Sequence, residues 1–121
     1  LNFKLDSESP MALILVGQSE LWDLLKRQIY TAVRQRLDIR CSLYHYDRAQ
    51  TSDYIRRHLD YAGTSQDIFS DAAVGEIFRY SAGAARLINK LCTHCLIYGS
   101  QHNKKIIDDH IVRQVIEEEL P

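Results

Sequence analysis

Ser81-Ala82-Gly83-Ala84-Ala85-Arg86-Leu87-Ile88-Asn89-Lys90-Leu91-Cys92 is the stretch on which the reading of this chain turns. A small-residue turn around Gly83 precedes Leu87, Ile88, Leu91 and Cys92 at helical spacing, so the turn opens a helix with Arg86 in its first turn. That is where anions bind. First-turn amides and the positive end of the helix dipole attract negative charge, and a guanidinium there adds a directed cation for phosphate or carboxylate. An isolated arginine in such a place is ordinarily solvated or salt-bridged, so its surroundings decide the meaning.

Composition sets the frame. With 121 residues, 45% of them hydrophobic, the chain can bury the core of one domain or two small lobes without metal or disulfide staples. Fifteen basic and sixteen acidic residues give a formal charge of -1, which makes no overall case for nucleic acid or for direct contact with an anionic membrane. The longest apolar run, Met11 to Gly17, is too short to span a bilayer. Leu1 to Asp6 lacks the charged-then-apolar pattern of a secretory signal, and three cysteines without framework spacing suit a reducing cytoplasm, the compartment expected. Leu1-Asn2-Phe3-Lys4-Leu5 reads as the tail of a helix whose beginning is missing. The chain is therefore expected to be a piece of something longer.

Before the central stretch, Asp6 to Pro10 is a polar loop, and Met11 to Val16 has the unbroken apolar character of a strand buried on both faces of a parallel sheet. Ser19 can cap a long helix from Glu20 to about Arg36 with Leu21, Trp22, Leu25, Ile29, Ala32 and Val33 on one stripe. Ile39 to Tyr44 alternates as a second strand. From Asp47 only helices are expected. Asp47 and Gln50 form a capping box for a helix ending near Gly63, and Phe69 can staple to Val74 in a short helix after Ser70. The arginine helix should run to about Tyr98 and stop at Gly99. Lys104 to Ile107 is an extended connector, and Asp108 caps a last helix carrying Ile111, Val112, Val115, Ile116 and Leu120. Residues 1–46 and 47–121 are thus expected as separate lobes, the second a four-helix bundle.

In this order, Leu15-Val16-Gly17-Gln18-Ser19-Glu20-Leu21, Arg34-Gln35-Arg36-Leu37 and Gly83 to Cys92 resemble the C-terminal half of an AAA+ ATPase module. In particular they look like ATPases of the general secretion pathway A type, to which transposon-associated ATPases are similar. The resemblance implies that residues 1–46 end a nucleotide-binding core and that 47–121 form its helical lid. It also implies roles: Gln18 at the sensor 1 position, Arg36 as the arginine finger with Arg34 as its rival, and Gly83 and Arg86 as the sensor 2 turn on the nucleotide. ATP and Mg2+ follow as cofactors of the complete protein. A homo-oligomer, in ring or filament, is implied too, together with envelope secretion components or transposition proteins as partners. For this piece alone, a homodimer joined through its open apolar segments is expected.

Two ATPase motifs have no counterpart. No Gly-x-x-x-x-Gly-Lys-Ser/Thr loop is present to cradle phosphates, and Ile106-Ile107-Asp108-Asp109 is too short an apolar strand for a magnesium site, so Asp108 reads as a cap. Alone, the chain should not hydrolyse ATP. Cys92-Thr93-His94-Cys95, with His102 nearby, has zinc-like spacing but lacks a second pair and lies on an apolar helix, which favours core cysteine; no metal is expected. Glu117-Glu118-Glu119 reads as a solvated helix end. A helix-turn-helix made of Asp71 to Tyr80, the Ser81-Ala82-Gly83 turn and the helix after it is the alternative from another class, disfavoured by the apolar residues of its second helix and by nine basic against eleven acidic residues in 47–121. A purely helical interaction module would leave Met11 to Tyr44 unexplained.

Overall fold

The computed structural model describes residues 11–120, so the expectations placed on Leu1 to Pro10 lie outside the described residues. The chain divides into two compact units between Ser42 and Leu43.

In the second unit, α3 (Arg48–Tyr61) begins at the capping box: the Gln50 amide donates to Asp47 Oδ1 at 2.7 Å and the Asp47 amide donates to Gln50 Oε1 at 3.0 Å. Gly63, at φ +99°, follows its last turn. Ser70 caps α4 (Asp71–Ser81) by accepting from the Ala73 amide, while Phe69 and Val74 on either side of that cap are both buried. α5 (Ala85–Gln101) and α6 (Asp109–Glu119) complete the bundle, and Asp108 Oδ1 accepts from the Ile111 amide at the start of α6. A short backbone clasp joins the entries of α4 and α6. Ile107 donates to Ile68 O at 2.7 Å and Ser70 donates to Ile107 O at 3.0 Å, an isolated parallel bridge between Phe69 and Ile107.

The stripes meet in one core. Ile55 of α3, Ala73, Val74 and Ile77 of α4, Ile88, Leu91 and Cys95 of α5, and Ile111, Val112 and Val115 of α6 are buried together, with Phe69 and Ile107 from the clasp. Burial on this scale contributes about 1.5–3 kcal/mol for each large side chain. Helix α5 does not stop at Gly99. That residue is buried inside the helix because Ile107 packs on it: a Cβ there would lie 2.8 Å from Ile107 Cδ1 and 3.1 Å from Lys104 O, and the helix ends two residues later. Glycine here serves a close approach rather than a stop.

The first unit departs from expectation. Among the described residues there is no strand, so the two-strand remnant over Met11 to Val16 and Ile39 to Tyr44 is absent. Ile14 is 80% exposed, Val16 88% and Leu43 99%. An apolar run supplies side chains for two faces of a sheet, but a strand exists only where a neighbouring edge takes its backbone hydrogen bonds, and none is present here. The long helix is also broken, into α1 (Ser19–Leu25), a 3-10 turn (Gln28–Tyr30) and α2 (Thr31–Gln35). Arg27 is extended at ψ 144°. The Ile29-Tyr30-Thr31 run has low helix propensity, and the Arg34 guanidinium takes up the carbonyls released at the break, donating to Lys26 O at 2.9 Å and Leu25 O at 3.4 Å. Trp22 is covered instead by Arg40, whose guanidinium carbon lies 3.9 Å from the ring centre.

Candidate functional site

The turn that opens α5 is built from backbone. Ala82 and Gly83 both have positive φ, 50° and 80°, which reverses the chain within two residues of the end of α4. Ser81, almost fully buried, accepts from the Gly83 amide with its Oγ at 3.2 Å. Above it lies the Tyr46 main chain, whose amide donates to Gly83 O at 2.9 Å. A Cβ on Gly83 would fall 1.8 Å from Tyr46 O and under 3 Å from Tyr46 C and N. Only glycine fits. The segment entering α3 is thereby tied to the segment entering α5.

Ala84 occupies the N-cap of α5 and has no side chain to satisfy the first-turn amides, and Arg86 sits two positions into the helix. Arg86 is exposed and makes no hydrogen bond or ion pair among the described residues. Asn89, one turn further on, accepts from the Tyr54 hydroxyl at 2.9 Å, a second link between α3 and α5. Tyr54 stands between Tyr46 and His58, with ring centres 5.2 and 4.3 Å away, and Tyr46 and Tyr54 line an open groove of about 440 Å³ with Ala49, Gln50, Asp53 and Arg57. Asp53 is held below the usual carboxylate range by hydrogen bonds from Arg57 and Arg56.

The remaining expected site residues lie in the first unit. Gln18 is exposed at the N-cap of α1, its side chain making no capping bond. Arg34 and Arg36 share α2 and its C-terminal cap, but they differ in commitment: Arg34 closes the helix break described above, whereas Arg36 is exposed with no side-chain partner among the described residues. No sequence signal marked Tyr46, Tyr54 and Asn89 as the supports of the turn. Their pairing depends on how α3 and α5 pack, which periodicity does not encode.

Burial pushes the Cys92 and Cys95 thiols up to about 12, so both are protonated core groups. The apolar residues counted against a DNA-reading second helix are largely its buried side: Ile88, Leu91 and Cys95 face the core, while Arg86, Lys90, Thr93 and Gln101 are exposed. Asp108 is a helix cap, as its bond to Ile111 requires. Among the described residues no helix is long and apolar enough to cross a membrane.

The chain is 32% identical, over 96 residues and 79% of its length, to the General secretion pathway protein A of Aeromonas hydrophila, and it spans only 18% of that protein. The similarity covers about four-fifths of this chain. No protein-family model matches it, and no solved structure does.

Proposed function

We propose that this chain is the C-terminal part of an AAA+ ATPase working in general secretion, with residues 1–46 ending the nucleotide-binding core and 47–121 forming the lid. The observation that carries the reading is the Gly83 turn. In a chain related to General secretion pathway protein A, a backbone-locked glycine turn presents an exposed, unpaired Arg86 in the first turn of α5. Such a cation, fixed to a lid helix, couples lid position to the charge on the phosphates of ATP. Gln18 takes the sensor 1 role of orienting water at the terminal phosphate, and Arg36 the role of a finger inserted into a neighbouring subunit's site. Arg36 is preferred to Arg34 because Arg34 is already bound to the Leu25 and Lys26 carbonyls. ATP and Mg2+ belong to the complete protein. Hydrolysis there drives remodelling or assembly of a secretion component, in a homo-oligomer.

The test uses the complete protein. Arg86→Ala should lower ATP turnover by the equivalent of about 2–4 kcal/mol while thermal melting stays unchanged, since the side chain makes no contact that holds the bundle. Normal turnover, or a collapse of the melting transition, would refute the assignment. Arg36→Ala subunits mixed with subunits defective in the phosphate loop should regain activity, because each supplies what the other lacks. Confirmed co-assembly without recovery argues against a finger at position 36.

A further inference from the structure

From residue 77 to residue 107 the chain carries five arginines and lysines and no acidic residue, whereas residues 114–121 carry three glutamates and no cation. The ion pairs divide in nearly the same way, with Arg79 on the paired side. In the helical unit, all five cations of α3, α4 and α6 (Arg48, Arg56, Arg57, Arg79 and Arg113) pair with a carboxylate of their own chain. Arg86 and Lys90 of α5, and Lys104 and Lys105 after it, pair with none among the described residues. Glu117, Glu118 and Glu119 likewise make no ion pair, and Glu118 meets only the Gln114 side-chain amide.

Register puts Arg86 and Lys90 on the exposed face of α5, and Lys104 and Lys105 follow its C-terminal end. Arg86, Lys90, Thr93, Ile97 and Gln101 recur at helical spacing and are exposed, opposite the buried line of Ile88, Leu91, Cys95 and Gly99. Apolar area lies among them: Ile97 is 50% exposed, Leu96 37% and, beside Lys105, Ile106 59%. The three glutamates sit at the C-terminal end of α6, where the helix dipole already repels negative charge; Glu117 lines a groove with Arg79 and Arg113 of its own chain, which leaves Glu118 and Glu119 the more open to cations from outside.

We propose that the outer face of α5 from Lys90 onward, with Lys104 and Lys105, docks the Glu117–Glu119 end of α6 from a second copy of this chain. A second copy fits better than a nucleic acid. The helical unit as a whole has nine basic against eleven acidic residues, which opposes a long polyanion but not a short run of carboxylates that meets only the basic face. Because unlike surfaces meet, the contact either closes around a two-fold axis, made twice, or repeats head to tail. This inference stands apart from the nucleotide reading, and Lys90, Lys104 and Lys105 carry its test rather than Arg86.

Sedimentation equilibrium of the chain should show association at low salt that is lost at high salt. The Lys90→Glu/Lys104→Glu/Lys105→Glu variant and the Glu117→Lys/Glu118→Lys/Glu119→Lys variant should each associate about tenfold more weakly, and an equimolar mixture of the two should recover wild-type mass. Lys104→Glu/Lys105→Glu, which lies outside any helix, gives the same readout without touching helix stability. Three results overturn the proposal: a monomer at low salt, association indifferent to both charge reversals, or duplex DNA binding by a chain that does not self-associate.

Discussion

Replacing Gly83 with alanine isolates the contact on which the candidate site depends. Two effects add. At φ +80° an L residue is disfavoured by about 1–2 kcal/mol, and the new Cβ, 1.8 Å from Tyr46 O, forces the Tyr46 main chain to move by more than an ångström. A shift of that size breaks the 2.9 Å bond from the Tyr46 amide to Gly83 O, removing about another 1 kcal/mol. The expected loss is about 2–3 kcal/mol before any repacking, equivalent to a fall of about 10–20 °C in the midpoint for a unit of this size.

Gly63→Ala is the internal control. Gly63 also has positive φ, +99°, but nothing lies within 4 Å of a Cβ there, so only the backbone term of about 1–2 kcal/mol applies. Thermal and urea unfolding of both variants, followed by circular dichroism, gives the difference directly. If Gly83→Ala melts together with Gly63→Ala, the Tyr46 main chain does not lock the turn, and the argument for a fixed Arg86 fails with it.

Thr51 is fully buried and its hydroxyl has no partner among the described residues, so Thr51→Val, nearly the same in shape, should hold or raise stability by up to about 1 kcal/mol; a loss above that in urea unfolding would reveal an unseen bond to the hydroxyl. Burial raises the Cys92 and Cys95 thiols from about 9 to about 12, so their contribution to stability is complete below pH 9 and is lost as pH rises toward 12. Unfolding midpoints measured from pH 8 to pH 11 should therefore fall, with a shallower fall for Cys92→Ala/Cys95→Ala; identical slopes would show that the thiols do not govern the alkaline limit. At pH 8 a maleimide should label exposed Cys41 well before either of the others.

The bundle was legible because its signals are local. Asp47 with Gln50, Ser70 after Phe69, and Asp108 before its apolar stripe each fix a helix start through groups within four residues of one another, and all three caps form. Arg86 was legible as a first-turn arginine for the same reason. The locking of its turn was not, since Tyr46 lies thirty-seven residues before Gly83 and contributes only main-chain atoms there. No side-chain pattern can announce such a contact. Gly99 misled for a related reason: a glycine that ends a helix and one that admits a neighbouring isoleucine look alike until Ile107 is seen packing on it.

Residues 11–44 show where local signals give out altogether. Met11 to Val16 satisfies every compositional condition for a buried strand, and Leu21 to Val33 has the stripe of a long helix, yet neither element forms. Both readings rest on an apolar face, and an apolar face is stabilised only by what covers it. Where the charge and aromatic pairings are local they do form: Lys26 pairs with Asp23 within α1 and its cap, and Arg40 lies over Trp22. Where the sequence counts on distant partners, the side chains are left in water, as with Ile14, Val16, Ile29, Ile39 and Leu43. At about 1.5–3 kcal/mol for each large side chain that could be buried, the uncovered set outweighs the strength of any single contact within the first unit. Nothing among residues 11–120 covers the apolar faces of this segment, and without a covering surface or a neighbouring edge its strand and long-helix patterns stay unformed.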